Sequence, residues 1–143
     1  MRTKHPSDRN LARFTSIAVS PDKMEIGFTI ESDTLAPDTV VGIFSKSTNI
    51  VKLLTSYYLG NEFISFSPNG TYFIYRGECW EAMCGLFVKD SKTLSEKASI
   101  NNPEYVDSRQ WDARFVQWIR ENEVEYKLES INSNDVKIER KSF

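Results

Sequence analysis

Glu62-Phe63-Ile64-Ser65-Phe66-Ser67-Pro68-Asn69-Gly70-Thr71-Tyr72-Phe73-Ile74-Tyr75 is the stretch on which the fold turns. Apolar side chains alternate with the rest on either side of Ser-Pro-Asn-Gly, the pattern of two strands joined by a tight turn. Proline presets φ at the second turn position, and Asn-Gly tolerates the backbone that follows. Phe14 to Ile30, FTSIAVSPDKMEIGFTI, carries the same design. Ile17, Val19, Ser20, Pro21 and Asp22 match Ile64, Phe66, Ser67, Pro68 and Asn69 at an offset of 47 residues. Met24, Ile26 and Phe28 then match Thr71, Phe73 and Tyr75 in alternation.

The repeat extends further. Gly42-Ile43-Phe44-Ser45-Lys46 matches Gly85-Leu86-Phe87-Val88-Lys89 at an offset of 43, so the connection before that strand is four residues shorter in the second copy. A third, degraded copy follows. Phe115-Val116-Gln117-Trp118 takes the place of its first strand, Arg120 to Glu123 replaces the Ser-Pro turn, and Val124, Tyr126 and Leu128 alternate as before. Strands are expected near 14–19, 24–31, 40–46 and 50–57, then 63–67, 71–77, 83–89 and 94–100, then 114–119, 124–131 and 136–142. No stretch of useful length carries a helical period, and no fourth strand remains for the third copy.

Val19-Ser20-Pro21-Asp22-Lys23-Met24-Glu25-Ile26 and Phe66-Ser67-Pro68-Asn69-Gly70-Thr71-Tyr72-Phe73 resemble the TolB-like, WD-type propeller repeat. Gly85 to Thr93 resembles the second half of that repeat. The resemblance covers about residues 14–100 well and 112–143 weakly, and Lys23 stands where the pattern prefers glycine. It implies an all-β fold, a partial β-propeller of about three antiparallel four-stranded blades with the last incomplete. A polar N-terminal arm, 1–13, would precede a single domain, 14–143, with blades at about 14–61, 62–111 and 112–143. Closed propellers have four to eight blades. The chain is therefore expected to be a fragment of a longer propeller or to assemble, two chains of three making six. Blades of this kind serve as periplasmic adaptors, as substrate-filtering lids of peptidases and as surface proteins, so the fold alone does not assign an activity.

Composition narrows the classes. The 143 residues are 40% hydrophobic, 13% aromatic and 27% charged, which suits a globular chain rather than a disordered one. A net charge of −2 offers nothing to attract nucleic acid. No apolar run reaches the roughly 20 residues of a membrane span, and Met1 to Arg13 has no apolar core of a signal peptide.

No catalytic or metal constellation and no cofactor motif stands out. His5, the single histidine, lies in the polar arm beside Pro6. Asp107 and Asp112 fall in a predicted loop, Glu121, Glu123 and Glu125 alternate on a predicted strand, and all read as solvated carboxylates. Asn69-Gly70-Thr71 is a glycosylation sequon in form but a turn in function. Cys79 and Cys84 flank Trp80-Glu81-Ala82-Met83, read as a four-residue hairpin loop. Residues facing each other across a hairpin have Cα atoms about 4.5–5.5 Å apart, which a disulfide accepts. The pair is either that disulfide, which would indicate a periplasmic or extracellular protein, or two reduced thiols in a cytoplasmic one.

The remaining lead is the end of the sheets opposite the Ser-Pro turns. In a propeller the loops 31–38, 58–62, 79–83 and 101–112 would emerge there together. They hold Trp80, Glu81, Tyr105, Asp107, Arg109 and Trp111, and aromatics with arginine on long loops are the composition of binding hot spots. Trp111 could equally fill the space between the second and third copies, and Trp118, aligned with Val19 and Phe66, is expected in the core. The expected function is a non-enzymatic binding or scaffold module whose partner is another protein or a second copy. The alternative is the propeller portion of a larger enzyme such as a peptidase.

Overall fold

The computed structural model describes residues 13–31, 39–54, 60–80, 83–101 and 110–143. These form eleven strands in three antiparallel meanders. The first sheet has the order β1 (Arg13–Val19), β2 (Glu25–Glu31), β3 (Thr39–Ser45), β4 (Ile50–Leu53). The second has β5 (Glu62–Phe66), β6 (Tyr72–Trp80), β7 (Met83–Asp90), β8 (Glu96–Ile100), and the third β9 (Trp111–Arg120), β10 (Glu123–Ser130), β11 (Val136–Ser142). Within each sheet every strand pairs with its neighbour in sequence, so each sheet is a local unit of the kind that alternation predicts.

Both Ser-Pro turns close in the same way. The Ser20 N–H donates to the Glu25 carbonyl and the Lys23 N–H to the Ser20 carbonyl, each at 2.9 Å. In the second sheet Ser67 N–H donates to the Tyr72 carbonyl at 2.8 Å, and Gly70 N–H to the Ser67 carbonyl at 2.9 Å. The serine hydroxyls accept from the Glu25 and Tyr72 N–H groups, both at 2.9 Å, so each serine holds both strands of its hairpin. Lys23 sits at φ +61° where Gly70 sits at +78°. A side chain in the left-handed region costs about 1–2 kcal/mol. Lys23→Gly is therefore expected to raise the unfolding free energy by about 1 kcal/mol in a denaturant titration. The reverse change, Gly70→Lys, should cost more than that, because a Cβ there would come 3.3 Å from Pro21 Cδ.

The sheets stack face to face, and the second is covered on both sides. Phe63, Phe66, Phe73, Tyr75 and Phe87 face the first sheet and meet Val41 and Ile43. Ile74, Leu86, Val88, Ala98 and Ile100 face the third sheet and meet Ala113, Val124 and Tyr126. Neighbouring residues of β6 and β7 thus serve opposite cores, as the two-residue period of a strand requires. Phe63 stacks on Phe73 with centroids 5.2 Å apart, and Tyr75 on Phe87 at 5.1 Å.

The first two sheets meet closely at Gly27, whose missing Cβ leaves the space that the Phe63 ring fills. Phe63 lies beside an irregularity in the β5–β6 register. Its N–H donates to Thr29 Oγ1 at 2.8 Å and its carbonyl accepts from Ser16 Oγ at 3.2 Å. With the Ser16 proton committed to Phe63, Thr29 is left to donate to Ser16. Two hydroxyls of the first sheet thereby satisfy the backbone of the second.

Several expectations need correction. Trp80 and Met83 are paired strand residues, so the hairpin is tighter than a four-residue loop. The strand expected at 50–57 is described as Ile50–Leu53, with 55–59 outside the described residues, and β8 starts at Glu96 because Leu94 takes φ +60° in the preceding turn. Strand β9 begins at Trp111, three residues early, which moves Trp111 and Asp112 out of the loop. Trp118 is half-buried at the margin of the core, where its indole N–H donates to Ser65 Oγ at 2.9 Å. Val19, its counterpart in the first sheet, is exposed.

Candidate partner-binding end

The loops opposite the Ser-Pro turns emerge where β6 and β8 finish and where β7 and β9 begin. Trp80 ends β6 with 63% of its surface exposed, an unusual position for the largest apolar side chain. One residue before it, Cys79 is disulfide-linked to Cys84 on β7, with Cα atoms 4.1 Å apart. The bridge crosses the stretch where the β6–β7 register shifts between Gly77 and Trp80, and where Glu78 takes φ +51°. It therefore ties the hairpin together where the ladder is irregular.

Trp111 opens β9 and is half-buried, with Lys137 Nζ 4.4 Å from its ring centroid. Its carbonyl accepts from Asn101 Nδ2 at 2.7 Å, and the same amide donates to the Cys84 carbonyl at 3.0 Å. Trp111 thus forms part of the seam between the second and third sheets, while Trp80 stands clear of it. Glu81, Tyr105, Asp107 and Arg109 lie outside the described residues.

Asp112 is not a solvated carboxylate. It is 6% exposed, and Arg76 Nη2 donates to its two oxygens at 2.6 and 2.7 Å. Arg76 Nε donates to the Ala113 carbonyl at 3.0 Å, and the Cys84 N–H donates to Asp112 Oδ1 at 2.8 Å. Arg114 Nε stands 3.2 Å from Oδ2. One carboxylate therefore gathers β6, β7 and β9 directly beneath the disulfide. Sequence reasoning passed over Arg76, although a lone arginine in the apolar run Phe73-Ile74-Tyr75-Arg76-Gly77 signals a buried charge in need of a partner. Asn61 was missed too. Its Oδ1 accepts from the Glu78 N–H at 3.2 Å, and its Nδ2 donates to the Thr39 carbonyl at 3.4 Å, linking the first two sheets at the same end.

The opposite end carries a second correction. Glu121 is a turn residue rather than a strand carboxylate on open surface. It accepts from Ser67 Oγ at 2.5 Å and from the Asn69 N–H at 2.7 Å, so the third sheet's turn clasps the second sheet's Ser-Pro turn.

Titratable groups follow these environments. Asp22 and Asp90 are held below the usual carboxylate range. For Asp22 the cause is first the Ser20 hydroxyl and then the Met24 N–H; for Asp90 it is the Thr93 N–H, with Lys92 N–H adding. Glu25 is raised, by partial burial first and then by the charge of Asp22. Burial pushes the Tyr75 phenol far up and the Tyr126 phenol to about 12, so both stay protonated near neutrality. An open groove of about 400 Å³ between the first two sheets is lined by Glu25, Ile43, Ser45, Lys52 and Lys92. Among the described residues no three His, Cys, Asp or Glu side chains gather as a metal site, and no helix is long and apolar enough to cross a membrane.

No family model matches the chain, and no curated protein sequence does. Among solved structures, it is similar to a chain from Agrobacterium tumefaciens assigned as TolB. The TM-score is 0.57 at 10% identity, covering 95% of this chain and 47% of that one. TolB from Acinetobacter baumannii superposes with a TM-score of 0.48 at 18% identity, covering 85% of this chain and 31% of that one. The three sheets have the fold of a partial TolB-like β-propeller. The chain spans less than half the length of the structures it matches.

Proposed function

We propose that this chain is a non-enzymatic binding or scaffold module that holds a protein partner at the end carrying Trp80. The observation behind this reading is an indole that is 63% exposed at the tip of a disulfide-closed hairpin. Anchors of this type bind strongly because a large rigid side chain loses little conformational freedom on docking. Tyr105 would add a second aromatic anchor and Glu81, Asp107 and Arg109 polar contacts, with Trp111 contributing its partly exposed edge. The bridge between Cys79 and Cys84 supports a periplasmic or extracellular setting, where such bonds persist.

The test is chemical cross-linking of the purified chain in an extract of its native cells, followed by measured affinity for the recovered protein. Trp80→Ala should weaken binding by at least about 30-fold, since a hot spot contributes roughly 2 kcal/mol or more, with the thermal midpoint nearly unchanged. A partner bound equally well by Trp80→Ala would overturn the assignment. In a second reading these sheets are the propeller portion of a larger enzyme such as a peptidase; the match to 47% of the Agrobacterium chain supports its first element, a longer propeller. This reading predicts that the recovered partner would be a catalytic domain or its substrate.

A further inference from the structure

The two outer faces of the stack differ in kind. On the first sheet the register sets Ile17 against Phe28, Val19 against Ile26, and Phe44 against Val51, all on the side away from the second sheet. Phe14, Ile17, Val19, Val51 and Leu53 are each more than half exposed there. Phe28 lies over Gly42 with Phe14 edge-on to it at 5.5 Å, so the face is packed and shaped as well as greasy. The corresponding face of the second sheet, formed by Phe63, Phe66, Phe73, Tyr75 and Phe87, is buried against the first sheet. The first sheet therefore exposes a surface whose counterpart in the next copy is an interior.

The outer face of the third sheet is ionic across β9 and β10, with Val136 and Ile138 exposed on its edge strand β11. Arg114 pairs with Glu129 at 3.3 Å, Lys127 with Glu129 at 2.6 Å, and Arg140 with Glu125 at 3.0 Å, while Gln117 donates to Glu125 at 3.0 Å. Closing two chains into a six-sheet ring would press these groups onto Phe14, Ile17 and Val51. That strips paired charges of water and returns no polar contact, which is unfavourable. Apolar surface is matched only by apolar surface, and the first-sheet face of a second copy offers it through a two-fold axis.

We propose that the outer face of the first sheet is a docking surface for the same face of a second copy, giving a back-to-back dimer. Four strands spaced about 4.8 Å, three of seven residues and one of four at about 3.3 Å each, make a face of roughly 400 Å² in projection. A symmetric pair would bury on the order of 1,000 Å² once side-chain relief is counted, the lower bound of a specific interface. The dimer is accordingly expected at micromolar concentration, held as two sheets packed at an angle of about −30°.

Sedimentation velocity of the full chain between 1 and 200 µM tests the idea. The expected result is a monomer–dimer equilibrium, shifted towards monomer at least 30-fold by Ile17→Lys and, independently, by Val51→Lys. Both sites are exposed, and far-UV circular dichroism with the thermal midpoint reports whether each variant stays folded. Ile138→Lys, on the exposed edge strand β11 of the third sheet, should leave the dimer constant unchanged. A wild-type monomer at 200 µM, a dimer indifferent to both lysines, or one dispersed by Ile138→Lys would each overturn the proposal. Trimers or open-ended oligomers would do the same, since they require head-to-tail contact. The assay does not involve the Trp80 end, so its outcome is separate from that of the partner-binding reading.

Discussion

Replacing Asp112 with alanine is expected to cost about 3–5 kcal/mol of unfolding free energy, as removal of one partner from a buried ion pair does. The loss has two parts. Arg76, with only 19% of its side chain exposed, is left without its carboxylate, and the Cys84 N–H loses its acceptor. Arg76→Ala should cost a comparable amount by stranding the Asp112 charge. Arg114, half-exposed and 3.2 Å from the same carboxylate, relieves part of that loss. The double variant, lacking both charges, should be more stable than the sum of the two single losses predicts. A double-mutant cycle by urea unfolding checks this, and strictly additive losses would show that the pair is not coupled.

The second large effect lies between the first two sheets. Phe63→Ala should cost about 3–5 kcal/mol, because the buried ring is lost from contact with Phe66 and Phe73 and leaves a cavity. Gly27→Ala in the wild-type chain should cost at least 1–3 kcal/mol, since its new methyl group would overlap the Phe63 ring and overpack the site. In the Phe63→Ala background the same Gly27→Ala change fills vacated space and removes a glycine from a strand. There it should be neutral or stabilising. Equilibrium denaturation of the four proteins gives the sign directly, and a destabilising Gly27→Ala in both backgrounds would refute this account of the contact.

The fold was legible because its information is local. A period of two across Ile64 to Tyr75, punctuated by Ser-Pro-Asn-Gly, places two strands within fourteen residues, and the 47-residue offset repeats them. All three sheets are therefore built from contacts that a short window of sequence contains. The candidate site was less legible, since Asp112 meets Arg76 across 36 residues and two sheets. Read in its own window, Asp112 is one more acidic residue near a loop. Glu121 misled for the same reason, as the turn it clasps is 54 residues away. Trp118 and Val19 occupy equivalent positions but differ in environment because only one has a sheet behind it, a property of stacking that no single repeat encodes.

The unlike outer faces also bear on how such a protein could lengthen. A duplicated copy of the third unit placed after the original would have to settle on an ionic surface, whereas a copy of the first placed ahead would bring its Val41 and Ile43 side to an apolar face of the kind that side already covers. A copy of the middle unit inserted after itself would set Phe63 against Ile74, the counterpart of Gly27 at the 47-residue offset, and lose the gap that the ring fills. Growth by repeat expansion would thus be accommodated ahead of the first sheet, by adding first-type units, with the ionic face kept at the other end.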